Sequence, residues 1–185
     1  MSNTKKLTLS AITVALGTVI MALGAILEVM DLTTCCFASL LVMLVYTEIG
    51  SPYTWLVWLA TSLLSFIMFS GSFVWLTYLL VYGIYPILKG YIERLPRIFW
   101  IPIKLVFVNV MMTVLVLFSE ALIGVSFFGD VSGWHIGAWV IDPRIIYATF
   151  WVLLNLAFLL YDRMIVVLVL WYQQKLRPRL ANLLK

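Results

Sequence analysis

Few side chains in this sequence could do chemistry, and most of them stand inside long apolar runs. Glu120 follows Leu115-Val116-Leu117-Phe118 and precedes Ala121-Leu122-Ile123; Asn109 lies deeper in the same run and Asn155 in a later one. A charged group surrounded by hydrocarbon is costly, so such residues ordinarily face a polar cavity or a partner. Glu28 and Asp31 bracket the break between two apolar runs, where each either reaches water or helps to receive a ligand. Trp134, His135 and Trp139 fall in the glycine-bearing stretch Ser126–Arg144, offering broad rigid contact area and one imidazole. Glu28, Asp31, Glu120, Trp134, His135, Trp139 and Asn155 are therefore the candidate ligand contacts.

Catalysis and cofactor chemistry find less support. No glycine-rich phosphate loop ends in Lys-Ser or Lys-Thr, so the chain is not expected to hydrolyse nucleotide itself. One histidine and the adjacent Cys35 and Cys36 do not make a structural zinc set, and the cysteines are expected as small packing residues of a helix. No serine, histidine and aspartate stand in the pattern of a nucleophile elbow. The expectation is a non-enzyme with no catalytic residue, no metal and no cofactor.

The elements that position these residues follow from composition. The 185 residues are 64% hydrophobic and 11% charged, with a mean hydropathy of +1.10. A water-soluble domain could not hide so much apolar surface. Spans of about 20 apolar residues are needed to cross a bilayer, and they are expected at Leu7–Leu27, Leu32–Ile49, Tyr53–Phe69, Phe73–Leu88, Ile101–Gly124 and Ile145–Tyr161. Lipid offers no partner for free backbone groups, so the spans must be helical. The fold class is all-α: one polytopic six-helix bundle, residues 1–185, with a basic tail over 162–185.

Charge sets the expected orientation. With the amino terminus inside, Lys5, Lys6, Lys89, Arg94, Arg97, Lys104, Arg163, Lys175, Arg177, Arg179 and Lys185 share the cytoplasmic side, and Arg144 alone stands opposite. Cytoplasmic loops accumulate Lys and Arg, so both termini are expected in the cytoplasm of a cell-membrane protein. The net charge of +4 then reflects topology and contact with membrane lipid, not nucleic-acid binding. The Lys5-Lys6 pair leads into a run of about spanning length, which reads as a retained first helix, not a cleaved leader. Tryptophans near both sets of span ends suit interfacial belts. Lys104 and Asp162 are expected at similar depth on consecutive antiparallel helices, as a structural ion pair. Pro86 removes a donor and is expected to kink the fourth span near Tyr82–Gly83, either statically or as a hinge.

Ala11 and Ala15 are one helical turn apart near the start of the first span, so they share a face that lets another backbone approach. That face serves internal packing or docks a separate membrane protein. A short six-helix chain with basic residues leading into Ala-x-x-x-Ala resembles the substrate-binding S component of energy-coupling factor transporters. The resemblance implies that Ala11 and Ala15 contact a coupling membrane subunit, itself driven by two ATPase subunits. It also implies uptake of a small vitamin-like molecule from outside, beneath closing external loops. The stretch Ser126–Arg144 suits such a lid, or a segment dipping into the headgroup region. The alternative is a non-transporting scaffold that organises partner membrane proteins, as rod-shape scaffold proteins do.

Overall fold

The first helix shows what kind of solvent surrounds this protein. In the computed structural model, which describes residues 2–27, 30–122, 135–136, 139–140 and 142–178 (backbone alone at 120, 122, 135, 136, 139, 140 and 143), α1 runs Asn3–Leu27. Ile12, Leu16, Val19, Leu23 and Ile26, spaced by three and four, form one exposed stripe. The buried residues are small or hydroxylated: Ser10, Thr13, Gly17, Thr18 and Gly24, with Met21. Apolar outside and small inside is the packing of a helix in lipid, where close backbone approach replaces the hydrophobic effect. The Ser10, Thr13 and Thr18 hydroxyls donate to the carbonyls of Lys6, Leu9 and Val14, so none enters the interior unpaired.

The remaining helices are α2 (Asp31–Glu48), α3 (Ser51–Phe69), α4 (Phe73–Thr77), α5 (Tyr85–Ile92), α6 (Trp100–Leu122) and α7 (Pro143–Trp171). Six helical segments are long and apolar enough to cross a membrane, with α4 and α5 together counting as one, Phe73–Ile92. A short antiparallel ladder sets His135 opposite Val140 and Ile136 opposite Trp139. Two spans outrun their expected ends. The fourth continues past Leu88 to Ile92. The sixth continues past Tyr161 to Trp171 and turns onward through Tyr172–Leu176, so Asp162 sits inside a helix and not at the head of a tail.

α2 packs against α1, α3, α4, α5 and α7. One core gathers Met21, Cys35, Val42, Val57, Val74 and Tyr78. The other gathers Met43, Trp75, Tyr85, Met112, Phe158, Tyr161 and Ile165. The α4–α5 span is the innermost, 61% buried against 22–39% for the others. Two tryptophans near span ends, where they suit interfacial belts, also pack into this interior. Trp75 is 7% exposed and donates to the Ser70 carbonyl at 2.9 Å. Trp58 donates to the Leu79 carbonyl at 3.2 Å.

The Trp58 bond follows from the break in the fourth span. Residues Tyr78–Tyr82 form a π-helical turn, closed by Gly83 N–H donating to the Tyr78 carbonyl at 2.7 Å. In an α-helix that N–H would serve Leu79, whose carbonyl is released to accept the Trp58 indole. Helix resumes at Tyr85, with Pro86 in the first turn, where its missing donor is harmless. The break lies where Pro86 predicts it.

Close approach also fixes α1. A side chain at Gly24 would collide with Thr34 of α2. Gly24→Leu is expected to lower the thermal unfolding temperature in detergent, at a cost of about 1–3 kcal/mol for overpacking. Ile26→Ala, on the 76% exposed outer stripe, should leave it nearly unchanged.

Candidate functional site

Four ionised side chains meet inside the bundle, near the end where α5 turns into α6. Lys89 and Glu93 are one turn apart on the α5 side, so they share a face with Tyr85. Lys104 stands one turn into α6, and Asp162 projects from α7. The Lys104 ammonium lies 2.9 Å from both carboxylate oxygens of Asp162 and 3.3 Å from Glu93 Oε1. Lys89 Nζ pairs with Glu93 Oε1 at 2.7 Å and also with Asp162. The Tyr85 hydroxyl donates to Asp162 Oδ1 at 2.5 Å.

Burial makes this arrangement obligatory. The lysine side chains are 1% and 4% exposed, Asp162 12% and Glu93 31%. Taking one such charge out of water costs several kcal/mol, and only close opposite charges with hydrogen bonds offset it. Two cations and two anions leave the cluster neutral. Aromatic rings shield it from the adjoining core: Tyr85 meets Phe158 edge-on at 4.7 Å between centroids and stacks on Phe107 at 5.9 Å. Lys104 also lies 5.7 Å from the centre of the Trp100 ring. The cluster joins α5, α6 and α7 as an electrostatic clamp. Among the described residues, no group of three or more His, Cys, Asp or Glu side chains is placed to hold a metal ion.

A second polar contact ties α6 to α7 deeper in the bundle. Asn109 Nδ2 donates to Asn155 Oδ1 at 2.8 Å, and Asn155 Nδ2 returns a bond at 3.2 Å. Each amide also donates to its own helix, Asn109 to the Leu105 carbonyl and Asn155 to that of Trp151. Both amide hydrogens of Asn155, an expected ligand contact, are thus engaged within the protein.

The other expected contacts are distributed differently. Glu28 and Trp134 lie outside the described residues, and the backbone alone is described at Glu120, His135 and Trp139. Asp31 opens α2, where a carboxylate suits the positive end of the helix dipole. Lys104 and Asp162 face one another as depth predicts. Lys89, counted as a topology marker, and Glu93 are partners in the same cluster. Their signal was the Tyr85, Lys89, Glu93 spacing, which aligns three polar groups on one helical face.

Ala11 and Ala15 are exposed, along with Ile12 and Leu16. They line an apolar groove of about 400 Å³ between α1 and α3, whose other wall carries Tyr53, Leu56, Val57, Ala60 and Leu64. Internal packing of α1 uses Gly17 against Thr61 and Gly24 against Thr34. Among the described residues, none covers the alanine pair.

No protein-family model matches the chain, and neither does any curated protein or any solved structure.

Removing Asp162 isolates charge, whereas removing it together with Lys104 leaves Lys89 with Glu93. Asp162→Asn is therefore expected to destabilise by about 3–5 kcal/mol, read as a fall in detergent unfolding temperature. The double variant Lys104→Met with Asp162→Leu should recover much of that loss. Additive losses would contradict a mutually neutralising cluster.

Proposed function

We propose that this chain is the substrate-binding subunit of an energy-coupling-factor-type uptake transporter. In this reading it lies in the cell membrane with both termini cytoplasmic, captures a small vitamin-like molecule outside, and delivers it with a separate ATP-driven module. The observation that carries the reading is the groove beside Ala11 and Ala15, lipid-exposed and unused by the protein's own helices. Small side chains there let a coupling helix approach closely, and van der Waals packing supplies the association that lipid itself does not. The expected ligand contacts Glu28, Asp31, Glu120, Trp134, His135 and Trp139 belong to the opposite side of the membrane from that contact. The Lys89–Lys104–Glu93–Asp162 cluster would then lie at the cytoplasmic end, holding α5–α7 together while external segments move over the ligand.

A scaffold reading shares the groove and draws on a different observation. The interior polar groups of α5, α6 and α7 are engaged with one another in the ion cluster and the asparagine pair, which suits a rigid organiser.

Purification in mild detergent, with mass spectrometry of what accompanies the chain, separates the two. The transport reading expects a coupling membrane subunit, two ATPases and a bound small molecule. Ala11→Trp or Ala15→Trp should abolish partner recovery without lowering the unfolding temperature, since both positions are exposed. Trp134→Ala should keep the partners and lose the small molecule. Membrane partners without ATPases would favour the scaffold, and unchanged recovery in both tryptophan variants would remove the docking assignment.

A further inference from the structure

A second cavity, distinct from the ion cluster and from the alanine groove, lies between the π turn of the fourth span, α6 and α7. It measures about 240 Å³. On α6 and α7 its lining residues all lie beyond Lys104 and Asp162, toward the ends Leu122 and Pro143. The deep wall is buried: Val108, Met112 and Leu115 of α6 and Phe158 of α7. Leu32 and Leu153, at the rim, are 54% and 58% exposed. Every lining side chain is hydrocarbon or thioether apart from the Tyr82 hydroxyl. An apolar recess of this kind does not hold ordered water, which needs two or more polar partners.

Its shape and surroundings identify what enters. From Val108 to Leu115 the α6 wall rises about 10 Å, and from Phe150 to Phe158 the α7 wall rises about 12 Å. The recess is therefore a slot running along the helix axes, the direction in which bilayer chains lie. At the rim on α7, Leu153 is 58% exposed and Ala157 is exposed as well, in a protein whose helices are long and apolar enough to cross a membrane, so the mouth opens onto the hydrocarbon phase.

We propose that this slot seats one acyl chain of a bilayer phospholipid. Inside it, the chain is contacted by packed side chains on several flanks, gaining dispersion contacts that fluid neighbours supply less densely. Recognition is by width and depth, with the headgroup left at the membrane surface near the start of α7. The proposal is independent of whether the protein transports or scaffolds.

The test uses the whole protein in phosphatidylcholine vesicles doped with a phosphatidylcholine carrying a diazirine on one acyl chain. After irradiation, adducts are mapped by mass spectrometry. Exposed Val110 and Leu117 report the surrounding lipid, while Met112 and Leu115, 5% and 1% exposed, are reached through the slot. Labelling at all four is expected. Ala157→Phe, at the exposed rim, should remove the Met112 and Leu115 adducts and preserve those at Val110 and Leu117. Label confined to Val110 and Leu117 would overturn the proposal, and would mean that the slot is filled by this chain's own residues 123–141 or by a second copy. Unchanged Met112 and Leu115 label in Ala157→Phe would overturn it as well.

Discussion

Charge neutrality inside a medium that does not solvate ions is the constraint on which the bundle depends. Lys89, Lys104, Glu93 and Asp162 are tolerable in their buried positions because they occupy them together. That requirement sets the axial register of three segments at once. Sliding α7 by one turn along its axis would displace Asp162 by about 5 Å, beyond reach of both ammonium groups. The asparagine pair adds a second fixed point between α6 and α7, so their relative rotation is determined as well as their height. α1, by contrast, meets α2 and α3 through small residues, Gly24 against Thr34 and Gly17 against Thr61, which specify distance more than register.

Hydrogen-bond accounting links that clamp to the rest of the interior. The fourth span could have been a continuous helix but for Pro86, and the π turn ahead of it releases one carbonyl that Trp58 of α3 then satisfies. The same interruption lets α5 start afresh, and its face carries Tyr85, Lys89 and Glu93 toward α6 and α7. A backbone irregularity is thereby held in place from both sides, by an indole on one and by ionic contacts on the other. Ser39 and Tyr161, joined at 2.5 Å, bring α2 into the same assembly.

Much of this architecture could be read from residue patterns, and the failures have common physical causes. Six apolar runs of spanning length, the break before Pro86 and the matched depth of Lys104 and Asp162 each depend on a local rule: run length, a missing donor, or helical rise. The pairing of Lys89 with Glu93 is hidden in the sequence because a lysine just past an apolar run normally marks an interface, and the apolar run ends at Leu88. Tertiary packing draws the helix to Ile92 and takes the lysine inside with its counterions. The inward bond of Trp58 is hidden for a related reason: an amphipathic ring suits an interface, but it equally suits a freed carbonyl within the bundle. Ala11 and Ala15 were legible as a close-approach surface, while the sequence pattern alone could not decide between inner and outer faces. Of the expected contacts in the long stretch between α6 and α7, Trp134 lies outside the described residues, and His135 and Trp139 are described by backbone alone.

The order of charges along the chain has a consequence for biogenesis. α5 is made with its own counterion, since Lys89 and Glu93 are one turn apart and enter as a neutral unit. α6 then delivers an unbalanced cation in Lys104, and its matching anion, Asp162, is 58 residues further on. At ribosomal speeds of roughly 5–20 residues per second, the nascent protein carries that excess positive charge for about 3 to 12 seconds. Through that interval Lys104, only one turn inside the start of α6, can extend its ammonium to the headgroups. The arrival of α7 withdraws it from water and completes the fold.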